Sequence, residues 1–484
     1  MEEVNWESIQ DTFKRVWGYD DFRYPQREVI ESLMQRRDSL VILATGSGKS
    51  ICFQLPALLQ EGLTVVISPL LSLMADQVRD LQLRDLPVAM LNSTLSSPER
   101  QLVLQNLGNL RLLYVSPETL LSQTVWQRLC DPGIKIAGLM LDEAHCLVQW
   151  GDSFRPAYRR LGAVRAALLR HKSPDRNNIA VAAFTATADP HTQQELQTCL
   201  QLQNPQIIRT SPHRPNLSLN VAIAWTVAGR KRQCLNFLSS HCDEPGIIYM
   251  RSRRETEALA TWLQSQSLHG QSLRTTAYHA GLPAEERRRI EQEWLAGKYK
   301  FIVCTSAFGL GINNPKTRWV LHYQAPLTLA EYIQEVGRAG RDGKAAQALM
   351  LVSEPTGWLD SSDRDRQSFF VRQQQNLQRC AQALIPKLPK RGNFDEVART
   401  YADAAIALGL LHRAGKLTWH SPFDYELNAN PQIQGEFDEA PLEEMQAYIR
   451  TKTCRWAFLM HAFGFIQAAK NLRCGTCDRC RPRR

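Results

Sequence analysis

Short apolar runs punctuate the first 210 residues at Leu40 to Ala44, Thr64 to Ser68, Arg111 to Val115, Gly138 to Leu141 and Ile179 to Thr185. Between them lie stretches whose apolar positions recur at helical spacing. Runs this short, bounded by turn residues and alternating with helices, predict buried strands of a doubly wound parallel sheet. Ligand-binding loops then belong at the carboxyl ends of the strands. A second set follows at Gly246 to Tyr249, Thr275 to Tyr278, Lys300 to Cys304 and Trp319 to His322. Two α/β lobes are expected, joined near Thr210 to Asn220. Beyond Val352 the strand pattern gives way to charged, Gln-rich sequence of helical character.

A chain of 484 residues is too long for one core and suits two or three domains. The expected boundaries are 1–208, 209–350 and 351–484. Net charge is +10 and the isoelectric point about 9.1, which favours a polyanionic partner without naming it. The acidic, polar start Met1-Glu2-Glu3 is no signal peptide, and the apolar stretch Leu63 to Met74 is interrupted by Ser68-Pro69 and too short to span a bilayer. A soluble, intracellular protein is expected, cytoplasmic or, in a bacterium, at the nucleoid.

The first strand runs into Thr45-Gly46-Ser47-Gly48-Lys49-Ser50. A tight Gly-rich turn that opens a helix surrounds phosphate oxygens with backbone N–H groups. Lys49 then reaches the β/γ-phosphates and Ser50 an Mg²⁺ ion. Leu43 stands where the strict P-loop pattern asks for glycine. About ninety residues on, the run ending at Leu141 is followed by Asp142-Glu143-Ala144-His145. Asp142 is expected to hold Mg²⁺ and Glu143 to orient or deprotonate the attacking water. Hydrolysis of a nucleoside triphosphate follows from the pair.

Twelve cysteines in such a chain argue for reduced thiols. Eight are scattered, while Cys454, Cys474, Cys477 and Cys480 form a C-x19-C-x2-C-x2-C set. Two-residue spacers let sulfurs grip one tetrahedral ion, and four thiolates leave no open position, so a structural zinc site is expected.

The full series of motifs resembles the RecQ family of superfamily 2 DNA helicases, closely over about residues 10 to 350 and again from about 442 to 480. The resemblance implies two RecA-like lobes, a mainly helical zinc-binding subdomain and ATP, Mg²⁺ and Zn²⁺ as cofactors. It implies 3′ to 5′ movement on single-stranded DNA, with unwinding of forked or duplex DNA in repair or recombination. In Trp17 to Gln26 it assigns adenine hydrogen bonding to Gln26 and base stacking to Tyr19 and Arg23. Ser68 to Gln77 and Tyr114 to Glu118 would hold the single-strand backbone, with Ser68 among the contacts. Trp150 and Phe154 would stack on bases and Arg155 contact phosphate or base faces, in a loop where Asp152 and Ser153 replace the family's usual His and Asp. Phe184 to Ala188 resembles the third motif, and Thr305 to Asn313 the fifth, with Thr305 on DNA. In Tyr332 to Gly343 the resemblance makes Arg341 the arginine finger, Arg338 its partner and Gln334 a nucleotide contact. Two arginines three apart on a helix share a face.

Arg484 follows the last cysteine closely, which reads as a short form of the family. About ninety residues separate Val352 from Pro441, more than the family usually places there. Within them Val397, Tyr401, Ala404, Ala405, Leu408 and Leu411 mark an amphipathic helix, and Lys416 to Trp419 with Phe423 to Leu427 a hairpin. A small α+β, winged-helix-like insert over about 390–430 is expected. Its Arg391, Arg399, Arg413, Lys416 and an exposed Trp419 would add duplex binding; a spacer packed on the second lobe is the alternative. An RNA helicase and a non-unwinding, DNA-stimulated ATPase or scaffold remain alternative functions.

Overall fold

The computed structural model describes residues 5–92, 94–149, 156–172, 179–308, 314–428 and 439–481. The chain forms two compact units, residues 1–210 with 373–437 and residues 211–372 with 438–484.

The first unit is built on seven parallel strands: β1 (Ser39–Ile42), β2 (Leu63–Ile67), β3 (Val88–Leu91), β4 (Leu112–Val115), β5 (Ile136–Leu141), β6 (Ala180–Thr185) and β7 (Gln206–Arg209). Their order is β3-β4-β2-β5-β6-β1-β7. Strands β1, β2, β4, β5 and β6 are buried at every position, as expected of strands covered on both faces. Registers Ile67 to Leu141, Leu141 to Ala183 and Ile42 to Thr185 bring the carboxyl ends of four neighbouring strands level. The Gly-rich turn, Ser68, Asp142 and Thr185 therefore lie along one edge.

The second unit has β8 (Leu217–Ala224), β9 (Gly246–Tyr249), a two-stranded ribbon of β10 (Ser267–Leu268) and β11 (Gln271–Ser272), then β12 (Thr275–Tyr278), β13 (Phe301–Cys304), β14 (Trp319–His322) and β15 (Ala346–Ser353). Its parallel sheet runs β12-β13-β9-β14-β15-β8. Helices Ala440–Arg450 and Arg455–Ala462 share a core with this sheet through Met445, Tyr448, Trp456 and Leu459. The cysteine segment lies along the outer edge of β8: the Ser218 hydroxyl donates to the Thr476 carbonyl (2.6 Å), the Asp478 N–H to Leu219 (3.2 Å) and the Trp456 indole to Leu217 (3.0 Å).

The insert comprises β16 (Arg391–Asn393), β17 (Leu417–Trp419) and β18 (Asp424–Leu427), an antiparallel sheet in the order β16-β18-β17, with helices Phe394–Thr400 and Ala404–Arg413. The expected single helix is thus two, divided at Tyr401. The insert packs on the first lobe. Phe423 joins the first lobe's core beside Trp126 (centroids 5.5 Å apart), and the buried Arg160 guanidinium lies 3.8 Å from the Phe394 ring while donating to the Pro422 carbonyl (2.5 Å). Trp419 is 6% exposed, which corrects its expected role as an exposed base-stacking residue. Its ring fills the insert's own core with Leu408, Leu411 and Tyr425, because a unit this small needs its large aromatics inside. Arg391 is paired with Glu426 at 2.8 Å, and Arg413 lies 3.8 Å from Glu195.

Candidate functional site

At the end of β1 the backbone turns through Gly46 (φ 85°) and Gly48 (φ 80°) into helix Lys49–Leu59. No side chain caps this helix, so its first N–H groups remain for a ligand. The left-handed φ is what calls for glycine at Gly48; a Cβ there would also displace the Gln26 amide, whose Nε2 lies 2.4 Å from that point. Gln26 is buried against the turn: it accepts from the Arg23 N–H (2.8 Å) and donates to the carbonyls of Ser47 (3.2 Å) and Gly48 (3.3 Å). Tyr19 and Arg23 face solvent. Thr45, Ser47 and Ser50 are half-buried around the turn, and the Ser47 hydroxyl is sealed from solvent with no hydrogen-bond partner among the described residues.

Facing the turn, Asp142 and Glu143 follow β5 and are 5% and 8% exposed. Glu143 adopts φ +49°, a left-handed conformation that costs a non-glycine residue about 1–3 kcal/mol and swings its carboxylate toward the turn. Its N–H donates to Asp142 Oδ1 (3.0 Å), and its Oε1 lies 3.8 Å from Lys49 Nζ. Burial, then the neighbouring Glu143, push the Asp142 carboxyl up to about 6 against the pull of Lys49. Two buried carboxylates facing one lysine, beside N–H groups at a helix start, suit a divalent cation with a polyphosphate. Ser50 and Asp142 are the residues that would hold the cation. His145 Nδ1 bonds Thr185 Oγ1 (3.0 Å) and lies 3.3 Å from Glu143 Oε2, while the Thr185 hydroxyl donates to Thr187 O (3.0 Å). A chain of polar contacts therefore joins Glu143 to the turn after β6.

In the second unit, helix Leu329–Val336 starts on a Thr328 cap and stops at Gly337. Arg338 and Arg341 lie beyond it, on successive turns, correcting the expectation that they share a helix face. Gly340 (φ 63°) makes the difference: a Cβ there would meet Asn216 at 2.6 Å and Ala346 at 2.8 Å, and its N–H is taken by Thr317 O (2.8 Å). The turns still bring Arg338 and Arg341 to one small depression with Phe308, Asn314 and Thr317. Gln334 is half-buried on the helix, and Thr305 is half-buried just past β13.

Sequence reasoning missed the groups beneath these arginines. Arg251 donates to Glu335 through two nitrogens (2.9 and 2.8 Å) and to Glu331 (2.6 Å), and His322 Nε2 lies 2.8 Å from Glu335. The available signal was a glutamate set between the apolar Ile333 and Val336, on a helix face that must be buried. Burial pushes the Glu335 carboxyl up, but Arg251 and His322 outweigh it and hold it at about 2. That contribution to stability is full above the ordinary carboxylate value near 4.5 and is lost as pH falls through about 2. Arg251→Ala is expected to destabilise this unit by about 3–5 kcal/mol, since it strands a buried charge. A melting temperature within 1–2 °C of the parent, about the shift of well under 1 kcal/mol, would refute this.

The sulfurs of Cys454, Cys474, Cys477 and Cys480 all lie within 4.8 Å of one another. Zinc–sulfur bonds of about 2.3 Å need sulfurs roughly 3.8 Å apart, so the set fits a tetrahedral zinc ion. The Cys477 N–H (3.3 Å) and Thr476 hydroxyl (3.6 Å) donate to Cys474 Sγ, and the Cys474 N–H donates to Cys454 Sγ (3.5 Å). Burial pushes the Cys474 thiol up, yet these donors outweigh it and bring it down to about 7. Arg455, fully buried, clamps Asp478 through two bonds (2.6 and 2.9 Å) and fixes the segment between the ligands.

Trp150, Asp152, Ser153, Phe154 and Arg155 lie outside the described residues, as do 309–313. Ser68 is only 1% exposed, and its hydroxyl is buried behind the strand end. No helix of the described residues is long and apolar enough to cross a membrane.

Family descriptions match along the chain: DEAD/DEAH box helicase over residues 23–196, helicase conserved C-terminal domain over 229–343 and RecQ zinc-binding over 424–481. An ATP-dependent DNA helicase RecQ from Synechocystis sp. is 50% identical over 483 residues, 98% of each chain. The chain belongs to the RecQ helicase family. A RecQ from Pasteurella multocida is 37% identical over 80% of this chain and 57% of its own length. Among solved structures, the Mycobacterium smegmatis helicase Lhr bound to ssDNA and AMP-PNP has a TM-score of 0.56 at 17% identity, covering 89% of this chain and 61% of its own. S. cerevisiae Dbp5 bound to RNA and ADP BeF3 has 0.57 at 16%, covering 75% and 93%. At such identities they establish the two-lobed fold alone.

Proposed function

We propose that this RecQ-family chain is an ATP-driven DNA helicase that moves 3′ to 5′ along single-stranded DNA and opens forked or duplex DNA. Repair or recombination in the cytoplasm or at the nucleoid is the setting. The observation that carries the reading is the intact hydrolytic set, with Lys49 and Glu143 3.8 Å apart beside the open helix start, in a chain related to a RecQ over 98% of its length. On this reading residues 1–208 bind ATP, 209–350 supply the second helicase lobe, and the expected 351–484 domain is divided, its insert within 373–437 going with the first unit and its zinc-binding helices with the second.

The N–H groups of Thr45 to Ser50 surround the phosphates, and Lys49 leaves its weak pairing with Glu143 for them. Gln26 reads the adenine edge while Tyr19 and Arg23 cover its ring. Ser50 and Asp142 would hold a divalent cation, which would supply charge neutralisation at the β/γ-phosphates. Glu143 then orients a water and accepts its proton as the oxygen bonds to the γ-phosphorus and the bond to the bridging oxygen breaks. Arg341, with Arg338 and Gln334, meets the charge that grows on the γ-phosphoryl oxygens.

Arg341→Ala is expected to keep ATP binding and lose about 10³-fold or more in DNA-stimulated turnover. Unchanged turnover would remove Arg341 from the reaction. Forked DNA and a matched RNA duplex, each with a 3′ single-stranded arm, test the substrate: unwinding of DNA in preference to RNA is expected. Hydrolysis without strand separation on either would leave only a DNA-stimulated ATPase.

A further inference from the structure

Gln77 stands in the segment that the family resemblance gives to the single-strand backbone, yet its side chain points at the nucleotide turn. It lies on helix Leu71–Gln82, which begins three residues after Ser68. Its Nε2 donates to Ser50 Oγ at 3.1 Å, while its Oε1 is sealed from solvent and finds no donor among the described residues. A buried amide oxygen left unpaired costs about 1–3 kcal/mol, so this atom calls for a donor, and its position beside Ser50 puts it within reach of a water on a cation held there.

We infer that Gln77 is a positioning residue for the divalent cation: its amide nitrogen sets the Ser50 hydroxyl, and its amide oxygen accepts a hydrogen bond from a water of the cation's hydration shell. The inference rests on the reading of Ser50 as a ligand of that cation. A serine hydroxyl has one proton and two lone pairs. With Gln77 donating to one lone pair, the other stays free for the ion and the proton can turn to a carboxylate. Mg²⁺ keeps several waters when protein supplies only one or two ligands, and a water donor is what Oε1 lacks. Held by the Gln77 amide, the Ser50 hydroxyl is oriented before the nucleotide arrives, so less order must be gained on binding.

The test is binding of a fluorescent ATP analogue titrated with Mg²⁺ and, separately, in EDTA, with turnover against Mg²⁺ in parallel. Gln77→Met keeps the length and removes both hydrogen-bonding atoms. It is expected to raise the Mg²⁺ concentration for half-saturation by about 10- to 100-fold, in binding and in turnover, with nucleotide affinity in EDTA unchanged. Gln77→Glu, which keeps an acceptor for the metal-bound water but cannot donate to Ser50, should fall between Met and the parent. In a Ser50→Ala background Gln77→Met should add little, because the residue to be positioned is gone. Mg²⁺ half-saturation equal to the parent in Gln77→Met would overturn the proposal. Equal loss of affinity with and without Mg²⁺, accompanied by a lower melting temperature, would overturn it in favour of a packing role. Failure of the parent chain itself to bind the analogue in an Mg²⁺-dependent way would instead refute the nucleotide-site reading, and this inference with it.

Discussion

Glu143→Gln is expected to bind Mg²⁺ and ATP about as tightly as the parent and to hydrolyse ATP about 10²- to 10⁴-fold more slowly, the range lost with a positioned general base. Glutamine has the same length and keeps an oxygen to orient the water, but it cannot take the water's proton. Its φ of +49° is imposed by the β5 turn and is open to glutamine at similar cost, so the fold should be retained. The substitution also removes the carboxylate 3.8 Å from Lys49, freeing the lysine for phosphate, which argues against any loss of ATP affinity. Single-turnover hydrolysis beside equilibrium binding of the same nucleotide separates the two effects. Lys49→Ala provides the contrast: it should lose phosphate affinity and hydrolysis together. Turnover in Glu143→Gln within about twofold of the parent would mean that another group takes the proton.

The residues around this reaction were legible because each follows a strand that is buried on both faces. Strands β1, β2, β5 and β6 are apolar except at Ser39, Thr64 and Thr185, and such a run ending in glycines or in Asp-Glu is hard to read otherwise. Strands β3 and β7 were missed because they are partly exposed, so their pattern does not read as a buried run. Strand β8 was taken for linker, since its latter half is only partly covered and does not read as core. The arginine turns were placed on a helix because the spacing of Arg338 and Arg341 suits one; the space at Gly340, which forbids a Cβ, depends on Asn216 more than a hundred residues earlier. Arg251, His322 and Glu335 come from three separate segments and meet only in the folded sheet. The insert's own elements were readable, but its docking onto the first lobe turns on Arg160, Phe394 and Phe423, whose contact no local pattern encodes. The four ligand cysteines were found by spacing alone, whereas the edge of β8 that they cover was not.

That edge makes zinc removal the largest structural effect to expect. Cys477→Ser, or exposure of the parent to a strong chelator, should release one zinc per chain and unfold residues 439–481, seen as rapid proteolysis in that region. Structural zinc in small peptides contributes roughly 10–16 kcal/mol of apparent folding free energy, as large as the whole stability of a typical domain at about 5–15. Cys477 is fully buried, and a serine oxygen there could neither bind zinc as a thiolate nor satisfy the other sulfurs. The bonds from Ser218, Asp478 and Trp456 along β8 would be lost together, exposing a strand edge to pairing with other chains. Hydrolysis should fall as well, because Tyr448 packs 5.1 Å from Tyr332 on the helix that carries Gln334 and Glu335. Nucleotide binding to the turn at Gly46 to Ser50, which belongs to the other unit, should survive. Binding of a fluorescent ATP analogue is therefore the control that separates loss of the zinc module from general misfolding. A chain that stays resistant to protease and keeps its melting temperature after its zinc is gone would show that helix packing through Met445, Tyr448 and Trp456 holds the module without the metal.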